Sequence, residues 1–472
     1  MVNGMDDQLS AETEIFQPLG RLATLFYGSG HMLNDITSAC WFTYLLLFLT
    51  EIGLSPRDAA IVMLSGQIAD AFATIFTGEL IDRFGHFKLW HAGGSVLVAI
   101  SFSSVFGGCL PCKLSGISSS ALQTIGYSIF AAIFNVGWAA TQVSHMSMVN
   151  CITLNPTSRV SLASCRNAFT MVANLSLYAV ALAVFTIYSA KGSVDIKIQY
   201  RWIAYFSILV GCCFVGIFLI GTKEPELKKQ FQSDKICRIS WGYWFRKVLY
   251  YQVAVVYMLT RLVTNVSQAL LAFYVIDDLG MSHSSKALVP AFIYICSFIV
   301  SILLQEMRWT GWRLKSFFTA GAILWMFSGA GILILPSNMH NFMYILSVTI
   351  GVANALMTVT GISMQSVLVG QDLNGCAFVY GSLSFLDKFS CGLALYVLES
   401  YQGSTRTMDS HSVNHPADST RFMGSRSLTH PSVNRVGLGL VPAACALLSA
   451  IVTYTMDLPD ARSRPLIEPL LV

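Results

Sequence analysis

The chain has 472 residues, of which 54% are hydrophobic and only 11% charged, where soluble domains carry roughly 25% charged residues. With a mean hydropathy of +0.60, that balance excludes an ordinary soluble protein and describes one that crosses the bilayer many times. The formal net charge of +4 is too small for a nucleic-acid-binding surface, and no nucleophile–base pair or metal-ligand spacing marks an enzyme, a metal site or a cofactor.

Residues 1–20 carry Asp6, Asp7, Glu12 and Glu14 and lack the basic start and apolar core of a signal peptide. They read as a cytoplasmic tail, with the first span acting as an uncleaved anchor. A helical span needs about 20 mostly apolar residues. Apolar runs near 21–50, 58–81, 88–110, 121–149, 160–188 and 200–220 predict six spans, and runs near 248–276, 286–306, 315–335, 341–368, 376–399 and 436–456 predict six more. The expected fold is all-α, with twelve transmembrane helices in two six-helix bundles, 21–220 and 248–456.

The linker 221–247 holds Lys223, Lys228, Lys229, Lys235, Arg238, Arg246 and Lys247, which marks it as cytoplasmic. With 457–472 as a second cytoplasmic tail, the inside segments carry sixteen Lys/Arg against ten outside. Four of those ten lie in the long 400–435 loop between spans 11 and 12, and long loops count least in that rule. Most of the twelve cysteines stand singly in apolar runs, as small packing residues do. Cys109-Leu-Pro-Cys112, at the end of span 3, is spaced either for a local disulfide facing an oxidising lumen or simply for packing.

The stretch 66–90, GQIADAFATIFTGELIDRFGHFKLW, places Asp70 inside an apolar run. A carboxylate there costs several kcal/mol unless it has a partner or lines a polar cavity. Gly78 breaks the run, and a turn with Asp82, Arg83, Gly85 and Lys88 follows. After span 8, Arg308, Gly311, Arg313 and Lys315 occupy the corresponding place, an internal echo that points to duplication.

Other spans carry polar side chains at helical spacing on one face. Span 1 has Tyr27, His31, Asn34, Asp35 and Ser38; span 4 has Asn135, Trp138, Gln142 and His145; span 5 has Arg166, Thr170, Asn174 and Tyr178. Span 7 offers Arg261, Asn265 and Gln268, and span 11 offers Tyr380, Ser384, Asp387, Lys388 and Cys391. Ser, Thr and Asn at such places commonly stitch helices together, which is the plain alternative to a site. The charged residues Asp35, Asp70, Arg166, Arg261, Asp387 and Lys388 must either offset one another or line a cavity. A cavity of both signs suits a polar or zwitterionic solute, its cations gripping a carboxylate and its acids an ammonium. The candidate solute site is Asp35, His31, Gln142, His145, Arg166, Asn265 and Lys388, with Asp70 and Thr74 for a coupling ion. A buried carboxylate can also bind and release a proton as access alternates.

The turn Gly78, Asp82, Arg83, Gly85, Lys88 resembles the loop between helices 2 and 3 of the major facilitator superfamily, where it implies a cytoplasmic gate. Asp70-Ala-Phe-Ala-Thr74-Ile-Phe-Thr-Gly78 with Gly85-His-Phe-Lys88-Leu-Trp90 is similar to the glycoside-pentoside-hexuronide:cation symporters. That resemblance implies a cation site at Asp70, with Thr74 where a second acid belongs. It also implies solute contacts at Asp35, Arg166 and Lys388, with Gln142 replacing an acid. Longer strings, among them Gly30-His31-x-Leu-Asn34-Asp35, Thr141-Gln142-Val-Ser-His145 and Thr260-Arg261-Leu-Val-x-Asn265, resemble the family of major facilitator superfamily domain-containing protein 12. This implies cysteine import into lysosomes and melanosomes.

The expectation is therefore a monomeric secondary transporter in the lipid bilayer, working by alternating access on a small-molecule solute. Cysteine is the first candidate, and the missing acids point to a proton or no coupling ion. A proton-coupled sugar symporter is the alternative within transport; a non-transporting receptor or scaffold is the alternative outside it. A lysosomal or vacuolar membrane is expected, with the plasma membrane as the alternative. The tail from Arg464 to Leu471 resembles a dileucine sorting signal, with Leu466 where an acid should stand.

Overall fold

The computed structural model describes residues 18–109, 112, 114, 116, 119–187, 193–224, 241–281, 285–370, 372–412 and 432–458. Most of the 1–20 tail, much of the linker, the centre of the 400–435 loop and the sorting-signal tail lie outside the described residues. The described chain is helical throughout its spans. Span 1 is divided into Arg21–Ser29 and Met32–Glu51, and spans 2 to 6 are Pro56–Phe84, Phe87–Gly107, Ser120–Ile152, Pro156–Ile187 and Ser193–Gly221. A short helix, Trp241–Phe245, precedes spans 7 to 12 at Val248–Phe273, Ser285–Gln305, Gly311–Ile334, Phe342–Val369, Cys376–Ser412 and Val433–Thr455. Ten of these helices are long and apolar enough to cross a membrane on composition alone. Span 1, interrupted, and span 11, which carries Asp387 and Lys388, complete the twelve.

Local sequence explains where the helices start. The hydroxyls of Ser55, Ser119, Thr310 and Ser432 each accept the backbone N–H three residues on, which satisfies one of the orphan donors of a first turn. Pro56 adds a residue pre-set for the first helical position. Between spans 2 and 3 the chain reverses through Gly85 at φ +69° and His86 at φ +57°, and glycine takes the first of these without a Cβ penalty. Span 11 runs on to Ser412, past its expected end near 399.

Spans 1–6 and 7–12 form the two six-helix bundles. In the first, spans 2 and 3 each pack closely on span 4; a Cβ on Gly94 would lie 2.7 Å from Gly137 O. In the second, spans 9 and 12 cross where Gly329 meets Gly439. The bundles meet along spans 2 and 11 and along spans 5 and 8. Large apolar side chains such as Phe76, Leu209, Phe327 and Ile451 are exposed on the outer faces, as expected where lipid rather than water is the solvent. Beyond the end of span 3, Cys109 and Cys112 are joined in a disulfide.

Candidate functional site

Neighbouring positions on a helix point about 100° apart, so Asp387 and Lys388 of span 11 face different partners. Lys388 turns to span 2. Its Nζ lies 2.9 Å from Asp70 Oδ2, with the two side chains 3% and 0% exposed, and 3.2 Å from the ring centre of Trp138 on span 4. Asp387 turns to span 7. Arg261 Nε donates to its Oδ2 at 3.0 Å, the Cys391 thiol lies 3.2 Å from its Oδ1, and Asn265 Nδ2 donates to Cys391 Sγ at 3.1 Å. Four charges are thus neutralised in pairs where each alone would be prohibitively costly. Asp70 Oδ1 remains buried without a protein hydrogen-bond partner.

A second network surrounds the break in span 1. His91 Nε2 is 2.9 Å from Gly30 O, and His145 Nε2 is 2.8 Å from Tyr27 O. A carbonyl only accepts, so both imidazoles carry their proton on Nε2 there. Tyr27 stacks on the His145 ring at 4.2 Å and donates its hydroxyl to His145 O at 2.9 Å. These bonds satisfy backbone carbonyls at the interrupted helix, which hydrocarbon cannot do.

Past the break, His31 Nδ1 meets Asp35 Oδ1 at 2.9 Å, which leaves Nε2 to accept from Arg166 Nη2 at 3.2 Å. Thr170 donates to Asp35 Oδ2 at 2.7 Å. Asn34 Nδ2 donates to Trp138 O at 3.1 Å, and Trp138 Nε1 returns a bond to Asn34 O at 3.2 Å. Tyr257 on span 7 hydrogen-bonds Ser384 of span 11.

Polar ties between the bundles cluster at the end of the molecule that carries Asp82. The Asp82 carboxylate accepts from Ala377 N at 3.2 Å and Phe378 N at 2.7 Å, an acid placed on the positive end of the span 11 dipole. Gly78 lets the backbones approach there, since a Cβ on it would lie 2.5 Å from Ala377 O. Arg159 spreads its guanidinium over Thr153 O at 2.9 Å, Asn150 O at 3.3 Å and, across the bundle boundary, Gly370 O at 3.0 Å. Asn167 donates to Ser301 Oγ at 2.6 Å and Ser161 to Gln305 O at 2.9 Å. Trp241 Nε1 donates to Glu79 Oε2 at 2.8 Å.

The structure therefore gathers His31, Asp35, His145 and Arg166 in one network, and Asp70 with Lys388 in another. Asn265 stands in the Asp387 cluster. Gln142 is buried one turn along from Trp138, its Oε1 without a protein partner. Thr74 donates its hydroxyl to Ala71 O at 2.8 Å within its own helix. Arg83 is exposed in the last turn of span 2, and Lys88 N donates to Glu224 Oε2 at 3.1 Å. His91 and Arg159 stand outside the candidates drawn from sequence. The one signal for His91 is Ser95 four residues on, which bonds back to His91 O at 2.8 Å. Arg159 sits at the mouth of span 5, where an arginine reads as an interface residue.

The family described as MFS/sugar transport protein matches residues 26–460. Major facilitator superfamily domain-containing protein 12 of Homo sapiens is 32% identical over 416 residues, covering 81% of this chain and 86% of the relative. The Mus musculus protein of that name is 33% identical over 410 residues, with coverage of 81% and 85%. Among solved structures, the proton:xylose symporter XylE bound to 6-bromo-6-deoxy-D-glucose superposes with a TM-score of 0.67 at 13% identity, covering 93% of this chain and 96% of that one. At that identity the likeness speaks to the fold alone.

Proposed function

Because the chain belongs to the major facilitator superfamily, in its MFS/sugar transport protein family, we propose that it is a secondary transporter moving a small polar or zwitterionic solute by alternating access. The observation that carries this reading is the Asp70–Lys388 pair, 2.9 Å apart and almost wholly buried. It ties span 2 of one bundle to span 11 of the other at mid-depth. A solute carboxylate competes with Asp70 for the ammonium, a solute ammonium competes with Lys388 for the carboxylate, and a proton on Asp70 weakens the pair outright. Each of these events loosens a bond between the bundles. The Arg166–His31–Asp35 network across spans 1 and 5 offers the same solute a second cation and a second acid.

The basic end holding Asp82, Arg83, Lys88 and Arg159 is the cytoplasmic gate in this reading, following the Lys/Arg bias. In this structure that end is tied across the two bundles by the Asp82, Arg159 and Ser161 hydrogen bonds. Gly78 and Gly85 serve the gate through close helix approach and chain reversal. The first solute to test is cysteine, on the likeness to domain-containing protein 12, and the first membrane is lysosomal or vacuolar. Sugar uptake with a proton is the second reading, supported by the family's description and by the unpartnered Gln142 Oε1.

Vesicles containing the purified protein, given an imposed pH gradient and offered labelled cysteine and xylose in parallel, separate these readings. The expected result is saturable uptake of one solute, which Asp70→Asn strips of its dependence on the gradient. Unchanged uptake and unchanged pH dependence in Asp70→Asn would refute coupling through that carboxylate. Absence of uptake of either solute by the folded parent protein would favour a non-transporting scaffold.

A further inference from the structure

At the Asp82 end, the last turn of span 4 meets the first turn of span 11, and two thiols touch. Cys151 Sγ lies 3.7 Å from Cys376 Sγ, with the residues 1% and 0% exposed. Neither is disulfide-bonded in this structure. A disulfide holds its sulfurs about 2.05 Å apart, so the bond requires an approach of about 1.7 Å. Both residues stand at helix ends, Cys151 one residue before the end of span 4 and Cys376 at the start of span 11. Ends adjust more readily than helix interiors.

The surroundings make this contact more than packing. The two cysteines belong to different bundles and are 225 residues apart in sequence. Asn150, next to Cys151, donates to Tyr380 Oη at 3.2 Å, and Asp82 accepts from Ala377 N, next to Cys376. Arg159 donates to Asn150 O, the carbonyl preceding Cys151, at 3.3 Å. The pair thus sits among the polar ties that hold this end shut.

We propose that Cys151 and Cys376 form a reversible disulfide that locks this end closed, with a low-molecular-weight disulfide as oxidant. When the end opens, either thiol loses its proton to solvent and its thiolate attacks the oxidant R–S–S–R. A mixed disulfide forms and one RS⁻ leaves. On closing, the other cysteine, also deprotonated, attacks the protein sulfur of the mixed disulfide and expels the second RS⁻. The protein loses two protons and two electrons, and the oxidant becomes two thiols. The lock's effect on transport rests on the reading of this end as a gate; the bond itself does not.

The full-length protein in lipid nanodiscs, treated with oxidised glutathione, quenched and mapped as peptides without reduction, tests this directly. A Cys151–Cys376 cross-link is expected, with slowed amide exchange over 147–153 and 376–382. Dithiothreitol should reverse both, and neither should occur in Cys376→Ala or Cys151→Ser. Uptake into vesicles should be lost on oxidation of the parent protein and kept in the variants. Absence of the cross-link overturns the proposal, as does a cross-link that changes neither exchange nor uptake. If the cross-link forms and exchange slows but no version of the protein transports any solute, the transport reading falls and the lock stands.

Discussion

Removing Lys388 alone should cost more than removing the whole ion pair. Lys388→Met leaves Asp70 buried with both carboxylate oxygens unpartnered, and Asp70→Asn leaves the Lys388 ammonium buried without its counter-charge. Breaking a buried pair from one side typically costs about 3–5 kcal/mol, whereas replacing both members by neutral groups of similar size is often close to neutral. Lys388→Met also loses a desolvated cation–π contact worth as much as about 2 kcal/mol. The two single changes should therefore sum to well above the double variant, with a coupling energy of at least about 2 kcal/mol, or roughly 30-fold in the folding equilibrium. Unfolding in mixed micelles, followed for the four members of the cycle, measures this. Additive losses would show that the two charges do not depend on each other, and the pairing argument would fail. The double variant has a second use: stable yet inactive in uptake, it would separate the pair's role in transport from its role in the fold.

Other consequences are more local. Gly381→Ala puts a Cβ against Thr74 O, where spans 2 and 11 cross, and overpacking of this kind costs about 1–3 kcal/mol; thermal unfolding should show the loss, while Gly93→Ala, which meets nothing within 4 Å, should not. Asp82→Ala removes the acceptor at the start of span 11 and should cost about 0.5–2 kcal/mol, with amide exchange at Ala377 and Phe378 rising while that at the far end stays unchanged. Lys247, outside the spans, is held above the ordinary lysine value: partial burial opposes the charge, but hydrogen bonds to Asp372, at 2.9 Å, and Tyr243 outweigh it. Its contribution is fully present below the ordinary lysine value and is lost as pH rises through the raised one. The difference in melting temperature between the parent and Lys247→Met should accordingly hold from neutral pH into the lysine range and then shrink.

Much of the architecture is legible in sequence because hydrocarbon imposes a strict rule of about 20 apolar residues per span. Caps such as Ser55-Pro56 mark where helices begin, and charges stand out against an apolar background. Asp70 and Lys388 could each be named for that reason. Their pairing could not, since it depends on how spans 2 and 11 are rotated and crossed, which no local pattern encodes. The break in span 1 is hidden for a related cause. Gly30 looks like any other glycine in an apolar run, and the groups that satisfy the broken helix, His91 and His145, come from spans 3 and 4. Arg159 is harder still, because the partners in its hydrogen bonds are backbone carbonyls, which leave no mark in sequence. Cys151 and Cys376 read singly as packing residues, and only the meeting of two helix ends makes them a pair.

Span 11 carries two sets of contacts with different consequences for movement. Ser384, Asp387 and Cys391, at spacings of three and four, meet Tyr257, Arg261 and Asn265 of span 7, themselves four apart. That set binds the helix to its own bundle. Ala377, Gly381 and Lys388 form the other stripe and meet span 2 through the Asp82 cap, a backbone crossing and the ion pair. Opening the Asp82 end requires the second stripe to part while the first holds. The crossing at Gly381 is backbone packing and carries no charge. The cap at Asp82 lies about three turns along span 2 from Asp70. Within this stripe, the Lys388–Asp70 contact is the ion pair near the middle of span 2; under the proposed function it is there that a solute or a proton acts on the bundle boundary.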